Sequence, residues 1–334
     1  MIIKIKPALH LLLFVLTILG ACNPAVHKAT FVLVPDTQTY AEKYPEILDA
    51  QVNWIEKEAP KISLVLQQGD LTQNNNDLEW QRVQSAFNRL NGKIPYVLAV
   101  GNHDMGSGPG KFADVRNTTL FNNYFPYKTM SALPAFGGVY EENKLDNAYY
   151  LLETGKYKWL VLTLEFGPRE SVLQWANDVV AKHQNRTIII NTHSYMYSDG
   201  TRQTDKDYWR PQGYGVGKDT GTDAVNDGEQ IWKKLVKKHP NIRFVFSGHI
   251  LNTGVGTLVS INDAGLPVYQ FLANYQEGVK GSVKGGNGWL RLVTLDFKQN
   301  MINVQTYSPY LNEYRPDPAH KFTIKQAYLE TGKK

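Results

Sequence analysis

Residues 94–104 read IPYVLAVGNHD, an apolar run of strand character that ends in Gly101-Asn102-His103-Asp104. A strand buried in an α/β sheet holds its carboxyl end rigidly, and the loop that follows is free to carry functional side chains. Asn offers an amide oxygen, His a ring nitrogen or a titratable proton, and Asp a carboxylate. The stretch therefore indicates a site at the end of a central strand, although Gly, Asn and Asp are also common in turns for backbone reasons alone.

Four further apolar runs end in the same way, with polar residues directly after the predicted strand. They end at Pro35-Asp36-Thr37-Gln38, Gly69-Asp70, Thr192-His193 and Gly248-His249. Asp36, Asp70 and Asn102 follow one another at intervals of 34 and 32 residues, the length of a βαβ unit. Because right-handed crossovers bring the carboxyl ends of parallel strands side by side, we expect these three side chains to meet at one edge of one sheet.

The segments between these strands predict one α/β domain over residues 30–334. Leu48, Val52 and Ile55 share a helical face between two prolines, and residues 148–153 and 157–165 predict a hairpin. Residues 105–148, rich in Gly, Pro and aromatics, are interpreted as an insertion that lines the site. Four later runs predict strands of a second sheet, near 256–261, 267–273, 289–297 and 302–307.

The amino-terminal residues predict export. Lys4 and Lys6 precede an apolar run over 11–19 that is too short to span a bilayer comfortably, and small residues then lead to Cys22. Leu19-Gly20-Ala21-Cys22 resembles the bacterial lipobox, which implies cleavage before Cys22 and a lipid anchor to the membrane of the cell envelope. The alternative is an ordinary signal peptide with an incidental cysteine. Residues 1–21 are interpreted as the signal peptide and 22–29 as a tether.

The amino-acid composition excludes a disulfide and a thiolate metal site and argues against a nucleic acid partner. Cys22 is the sole cysteine of the sequence, so an internal disulfide and a thiolate metal site are both excluded. The formal net charge is +5, and loss of Lys4 and Lys6 would leave +3, which does not indicate a nucleic acid partner. A metal ion would have to be held by His, carboxylate and amide oxygen.

The ordered motifs resemble those of the calcineurin-like metallophosphoesterases. That family shows Asp-x-His, Gly-Asp, Gly-Asn-His-Asp/Glu, a lone His and Gly-His-x-His in this order. The corresponding stretches here are Asp36-Thr37-Gln38, Gly69-Asp70, Gly101-Asn102-His103-Asp104, His193 and Gly248-His249-Ile250-Leu251. The resemblance covers roughly residues 30 to 255. It implies a βαβα four-layer sandwich, with two mixed sheets flanked by helices and a two-metal site at the strand ends.

The resemblance implies one complete and one altered set of metal ligands. Asp70 would bridge two divalent ions, while Asn102, His193 and His249 would complete the first, in a set suited to Mn, Fe or Zn. These residue types are all retained.

Asp36 would hold the second ion, but both histidines that the family places there are replaced, by Gln38 and Leu251. Gln38 and Asn252 could offer amide oxygens instead. Oxygen donors favour Mg, Ca or Mn, so this ion is expected to be held more weakly.

The same resemblance implies catalysis by metal-activated water on a phosphoester. His103 would assist the leaving oxygen, and Asp104 would either orient His103 or cap the turn. The long loop over residues 194–227 is expected to overhang the site, with Asn102, Tyr195 and Arg202 as candidate substrate contacts. The alternative is a loop that packs on itself through its aromatic residues.

Two functions follow from these expectations. The first is a phosphatase or phosphodiesterase whose phosphorylated substrate has no class that the sequence names. The second is a surface lipoprotein that binds a phosphorylated ligand on a weakened scaffold, motivated by the two missing histidines. Retention of His103, which a binding protein would not need, favours the enzyme.

Overall fold

The computed structural model describes residues 26–329, in which two mixed sheets face each other and helices cover their outer sides. The strands are β1 (Lys28–Val34), β2 (Leu64–Gln67), β3 (Tyr96–Leu98), β4 (Phe136–Val139), β5 (Ala148–Thr154), β6 (Tyr157–Leu164), β7 (Thr187–Thr192), β8 (Ile242–Ser247), β9 (Val255–Ile261), β10 (Pro267–Ala273), β11 (Leu290–Asp296), β12 (Met301–Ser308), β13 (Glu313–Tyr314) and β14 (Lys321–Lys325). The α-helices are α1 (Gln38–Lys43), α2 (Pro45–Glu58), α3 (Asp77–Phe87), α4 (Thr119–Tyr124), α5 (Tyr127–Met130), α6 (Glu170–Lys182) and α7 (Gly228–Lys234).

The amino-terminal predictions lie outside this range. The signal peptide, the lipobox and Cys22 belong to residues that the structure does not describe, so lipid anchorage stays a prediction from the sequence. Within residues 26–329, no helix has the length and apolar character needed to cross a bilayer.

The first sheet has the order β13-β12-β11-β1-β2-β3, and β14 also pairs with β12. β1, β2 and β3 are parallel, with Val34 opposite Gln67 and Gln67 opposite Leu98. This register brings the carboxyl ends of the three strands side by side, as the βαβ spacing predicts. The strands are buried along nearly their whole length because α2 and α3 cover one face and the second sheet covers the other.

The second sheet has the order β4-β5-β6-β7-β8-β10-β9, in which β6, β7, β8 and β10 are parallel. α6 and α7 cover its outer face. The two sheets pack through large side chains such as Phe31 and Trp159, whose rings meet edge to face with centroids 5.2 Å apart. β7 and β8 end directly before His193 and Gly248, so each sheet contributes strand ends to the site.

The four carboxyl-terminal runs form strands, but the prediction that they share a second sheet is wrong. β9 and β10 join β8, whereas β11 pairs antiparallel with β1 and β12 pairs with β11. An apolar run indicates that a strand is buried, but it does not predict which neighbouring strand it pairs with.

The insertion over residues 105–148 is mainly structural. Phe121 of α4 and the following Phe125 pack around the buried Trp80 of α3, with ring centroids 5.9 and 6.4 Å from it. Phe112 alone among its aromatic residues stacks on a predicted site residue in the described structure, with its ring 4.0 Å from that of His103. The expectation that this segment lines the site therefore holds for one part of it.

Candidate metal centre

The predicted site residues sit on tight turns at the ends of five strands. Asp36, Asp70 and His249 adopt left-handed backbone angles, with φ of 41°, 51° and 72°. Such angles are strained for residues with a side chain and persist where the surrounding structure enforces them. The turns are also closely packed, since a Cβ at Gly101 would lie 2.1 Å from Asp70 Oδ1 and one at Gly248 would lie 2.3 Å from Asp36 Oδ2. The two motif glycines thus make room for the carboxylates.

Four buried side chains converge at the first half of the site. His193 Nε2 lies 3.1 Å from Asp70 Oδ2 and 3.2 Å from Asn102 Oδ1. His249 Nδ1 lies 3.2 Å from the same His193 nitrogen. Asp70, His193 and His249 form a set whose ligand atoms all lie within 4.8 Å of one another. Two imidazoles, a carboxylate and an amide oxygen suit a transition-metal ion, so the residues present fit the first ion of the resemblance.

Main-chain carbonyls orient both imidazoles toward that point. His193 Nδ1 lies 2.8 Å from the carbonyl oxygen of Gln68, and His249 Nε2 lies 2.7 Å from that of Trp209. A ring N–H that donates to a carbonyl leaves the opposite nitrogen available as a ligand, which is the usual support of a metal-binding histidine.

The pKa values of the two buried histidines differ widely. Burial lowers the pKa of His193, but Asp70, Asp36 and the carbonyl of Gln68 together outweigh burial and raise it to about 9. Burial and the neighbouring His193 lower the pKa of His249 to about 3. Burial opposes the ionised form of Asp70, yet His193 and His103 hold its pKa below the usual range. The carboxylates therefore favour positive charge at the point where the ligand atoms of Asp70, His193 and His249 meet.

The second half of the site consists of carboxylates and amides. Asp36 accepts the backbone N–H of His249 at 3.1 Å, and burial raises the pKa of its carboxyl well above the usual range. Gln38 Nε2 lies 3.1 Å from Asp70 Oδ2 and also donates to Gln276 Oε1. Gln276 in turn approaches Asp36 Oδ1 at 3.4 Å. Gln276 follows β10 without any motif, so its place in the site is not predicted from the sequence. The polar Asn274 at the end of a buried strand is the signal that points to this turn.

Asn252 does not reach this cluster, which corrects its assignment as a metal ligand. Its side chain is exposed and donates to the hydroxyl of Tyr208 at 2.7 Å. The preceding Leu251 instead lines the cavity. Asn252 lies on a turn with φ of 50°.

His103 lines the cavity beside the candidate metal centre. Its backbone N–H donates to Asp70 Oδ1 at 2.9 Å, and its Nδ1 lies 2.8 Å from the carbonyl oxygen of Gln73. The ring borders a cavity of about 160 Å³ that also touches Asp70, His249 and Gln276. Its Nε2 is therefore the nitrogen left for a bound substrate.

Asp104 is buried under the turn and does not contact the ring of His103. Its carboxylate accepts the backbone N–H groups of Gly101, Leu71 and Thr72 at 2.9–3.1 Å, and the Thr72 hydroxyl at 3.1 Å. Burial and the nearby Asp70 raise its pKa to about 6 despite these donors. The contacts fit the turn-capping interpretation, in which Asp104 joins the ends of β2 and β3.

The structure places Tyr195 and Arg202 away from the cavity, which corrects their assignment as substrate contacts. The Tyr195 hydroxyl donates to Gln270 Oε1 at 2.8 Å inside the core. Arg202 pairs with Glu229 at 2.6 Å and lies over the Trp232 ring. Both side chains therefore brace the loop against α7 and β10.

Other residues of the 194–227 loop do overhang the site. Trp209 and Tyr214 line the cavity, and Trp209 has φ of 51° with its indole partly exposed. The loop also packs on itself, since the Tyr208 ring lies 4.9 Å from Tyr197 and 5.2 Å from Trp209. Both interpretations of the loop thus hold for different parts of it.

Comparison with known proteins agrees with this geometry. The profile of the calcineurin-like phosphoesterases matches residues 29–252. The chain belongs to this family, whose members are dinuclear metal-dependent hydrolases of phosphoric esters.

The chain is also similar to a curated protein and to a solved structure. The uncharacterized protein YvnB of Bacillus subtilis (strain 168) is 31% identical over 298 residues, which is 87% of this chain, and the chain spans about one fifth (20%) of the length of that relative. The structure of purple acid phosphatase PPD1 from yellow lupin (Lupinus luteus) seeds aligns with a TM-score of 0.53 at 14% identity, over 90% of this chain and 54% of that chain. This likeness confirms the two-sheet sandwich.

Proposed function

We propose that this protein hydrolyses a phosphorylated substrate, as a phosphatase or phosphodiesterase, with a metal-activated water. The observation that carries the proposal is the convergence of Asp70, Asn102, His193 and His249, with both rings held by main-chain carbonyls, beside a cavity bordered by His103. A divalent ion pair supplies a water of lowered pKa and neutralises charge on the phosphoryl oxygens. Asp70, Asn102, His193 and His249 would hold one ion, and Asp36 with Asp70 the other.

In this scheme Asn102 would both bind the first metal ion and donate hydrogen bonds to the substrate. Its Oδ1 faces His193, which leaves its amide N–H groups to donate to a phosphoryl oxygen.

His103 would deliver a proton to the leaving oxygen. Because Nδ1 is held by the carbonyl of Gln73, the protonated ring presents its Nε2–H to the cavity, and transfer to the leaving oxygen returns the ring to its neutral form. The aromatic rings of Trp209 and Tyr214 would contact the organic part of the substrate.

Hydrolysis of p-nitrophenyl phosphate and bis-p-nitrophenyl phosphate tests the proposal. The purified chain, supplied with Mn²⁺, Zn²⁺ or Mg²⁺, should hydrolyse one of them, and chelation should stop the reaction. His193→Ala should abolish turnover, while His183→Ala is the matched control because His183 packs at the end of α6 through the carbonyl of Val179. Absence of chelator-sensitive hydrolysis with every metal and both esters would overturn the proposal.

The alternative of a surface lipoprotein that only binds a phosphorylated ligand is not supported. The ligands of one ion are intact, and His103 is presented to the cavity.

A further inference from the structure

A turn after β10 brings Gln276 into the altered half of the metal centre. The backbone N–H of Gln276 donates to Asn274 Oδ1 at 3.0 Å, and that of Val279 donates to the Gln276 carbonyl at 3.1 Å. The backbone N–H of Lys280 donates to the Asn252 carbonyl at 2.8 Å. The turn is therefore fixed to the segment that carries the last family motif.

Leu251 supports this turn at the position where the family has a histidine. A Cβ at Gly278 would lie 2.9 Å from Leu251 Cδ1, so the leucine packs directly under the Gln276 turn. An imidazole at position 251 is thus absent, and an amide from position 276 stands in the same half of the site. The Gln276 amide thus lies in the half of the site where the family's histidine at position 251 is missing.

The amide oxygen of Gln38 has no partner in this arrangement. Gln38 is fully buried, and its Oε1 makes no hydrogen bond within the part of the chain described. A buried polar atom without a partner is costly, and it marks a place where a ligand belongs. Asp70 Oδ2 and Gln276 Oε1 both contact the amide nitrogen of Gln38, and Gln276 Nε2 in turn contacts Asp36 Oδ1.

Oxygen atoms are concentrated at this half of the site. Asp36 and Asp70 are both buried there, and Gln276 Nε2 lies 3.4 Å from Asp36 Oδ1. His193 Nδ1 lies 3.9 Å from Asp36 Oδ1 but is directed to the carbonyl oxygen of Gln68. The half with Asp36 and Gln276 therefore presents carboxylate and amide oxygens to a cation.

We propose that Gln276 and Gln38, together with Asp36 and Asp70, form an all-oxygen second cation site that replaces the family's histidine ligands. This inference deepens the proposed function, because it names the ligands of the second ion. Carboxylate and amide oxygens select a hard ion such as Mn²⁺ or Mg²⁺ over Zn²⁺.

Binding of Mn²⁺ to the zinc-loaded chain tests this assignment. The purified chain is stripped with chelator, given one equivalent of Zn²⁺ to fill the imidazole site, and titrated with Mn²⁺ while free Mn²⁺ is followed by its electron paramagnetic resonance signal. Gln276→Leu should weaken Mn²⁺ binding by at least about tenfold, and Gln276→Glu should strengthen it by a similar factor. Gln299→Leu, an exposed glutamine between β11 and β12, is the matched control.

Two results would overturn the assignment. One is equal Mn²⁺ affinity in Gln276→Leu, Gln299→Leu and the unaltered chain. The other is a single ion per chain in every variant, which would mean that the amides serve only as hydrogen-bond donors to the carboxylates. Retained zinc stoichiometry and an unchanged unfolding temperature in chelator show that Gln276→Leu is folded. Because metal binding is measured directly, loss of this site and loss of hydrolysis are separate outcomes.

Discussion

The two halves of the metal centre share Asp70 but differ in every other donor. His193 and His249 face each other at 3.2 Å, and each ring is fixed by a main-chain carbonyl. The opposite half holds Gln38 and Gln276, whose amides contact each other and the carboxylates. One half of the centre thus keeps the family's imidazole donors, while the other has carboxylates and amides in place of the family's histidines on the same fold.

The largest expected effect comes from the residue that both halves share. Asp70→Asn removes the carboxylate that contacts His193 and Gln38, so both ions should be lost together. Metal affinity should fall by more than the roughly 10–100-fold that loss of a supporting residue costs. Elemental analysis of dialysed protein checks this; retention of one ion would show that the halves are independent.

Replacement of His103 should leave both metal ions bound but slow the hydrolysis. His103→Ala should lower turnover by roughly 10²–10⁴-fold, because a general acid is lost. The loss should be smaller for an ester with a good leaving group, measured with a series of substituted phenyl phosphates at constant metal content. An equal loss across the series would show that His103 does not act on the leaving oxygen.

The imidazole half should show a pH dependence of its own. Because the pKa of His193 is raised to about 9, the first ion must displace a proton, and Zn²⁺ affinity should rise about tenfold per pH unit between pH 6.5 and 8.5. The raised pKa of His193 also adds to the free energy of unfolding of the metal-stripped protein. This contribution is complete below pH 6.5 and is lost as pH rises through 9. Competition with a chelator at each pH measures the affinity, and a flat profile would contradict the assignment of that proton.

Restoring the family's histidines should reduce the difference in metal affinity between the two halves of the centre. Gln38→His with Leu251→His should raise retention of the second ion on dialysis and shift its preference from Mg²⁺ or Mn²⁺ toward Zn²⁺. We expect about a tenfold gain in affinity, the smallest effect here, because Leu251 also supports the Gln276 turn. If the unaltered chain already retains two ions on dialysis, the oxygen half is not weak.

The sequence predicted the convergence of the site better than its details. Asp36, Asp70 and Asn102 follow apolar runs separated by helices, and parallel pairing of β1, β2 and β3 then leaves little freedom in where they meet. The position of His193 and His249 opposite them came from the family resemblance. Gln38 and Leu251 depart from the family motifs in the sequence itself.

The misplaced residues share a physical cause. Tyr195 and Arg202 follow His193 closely, but whether a loop side chain points to the cavity or to the core is decided by packing against α7 and β10. Gln276 is distant in sequence from every motif and reaches Asp36 through a tertiary turn. Neither local spacing nor residue type carries that information.

The left-handed Trp209 has a consequence for how this protein can be re-engineered. One residue borders the cavity with its indole and fixes the ring of His249 with its carbonyl, at 2.7 Å. The 194–227 loop is therefore not an interchangeable module for changing substrates. A grafted loop that failed to reproduce this backbone bend would free the His249 ring to rotate. A loop exchange that aims to change substrate specificity would therefore have to keep the bend at position 209.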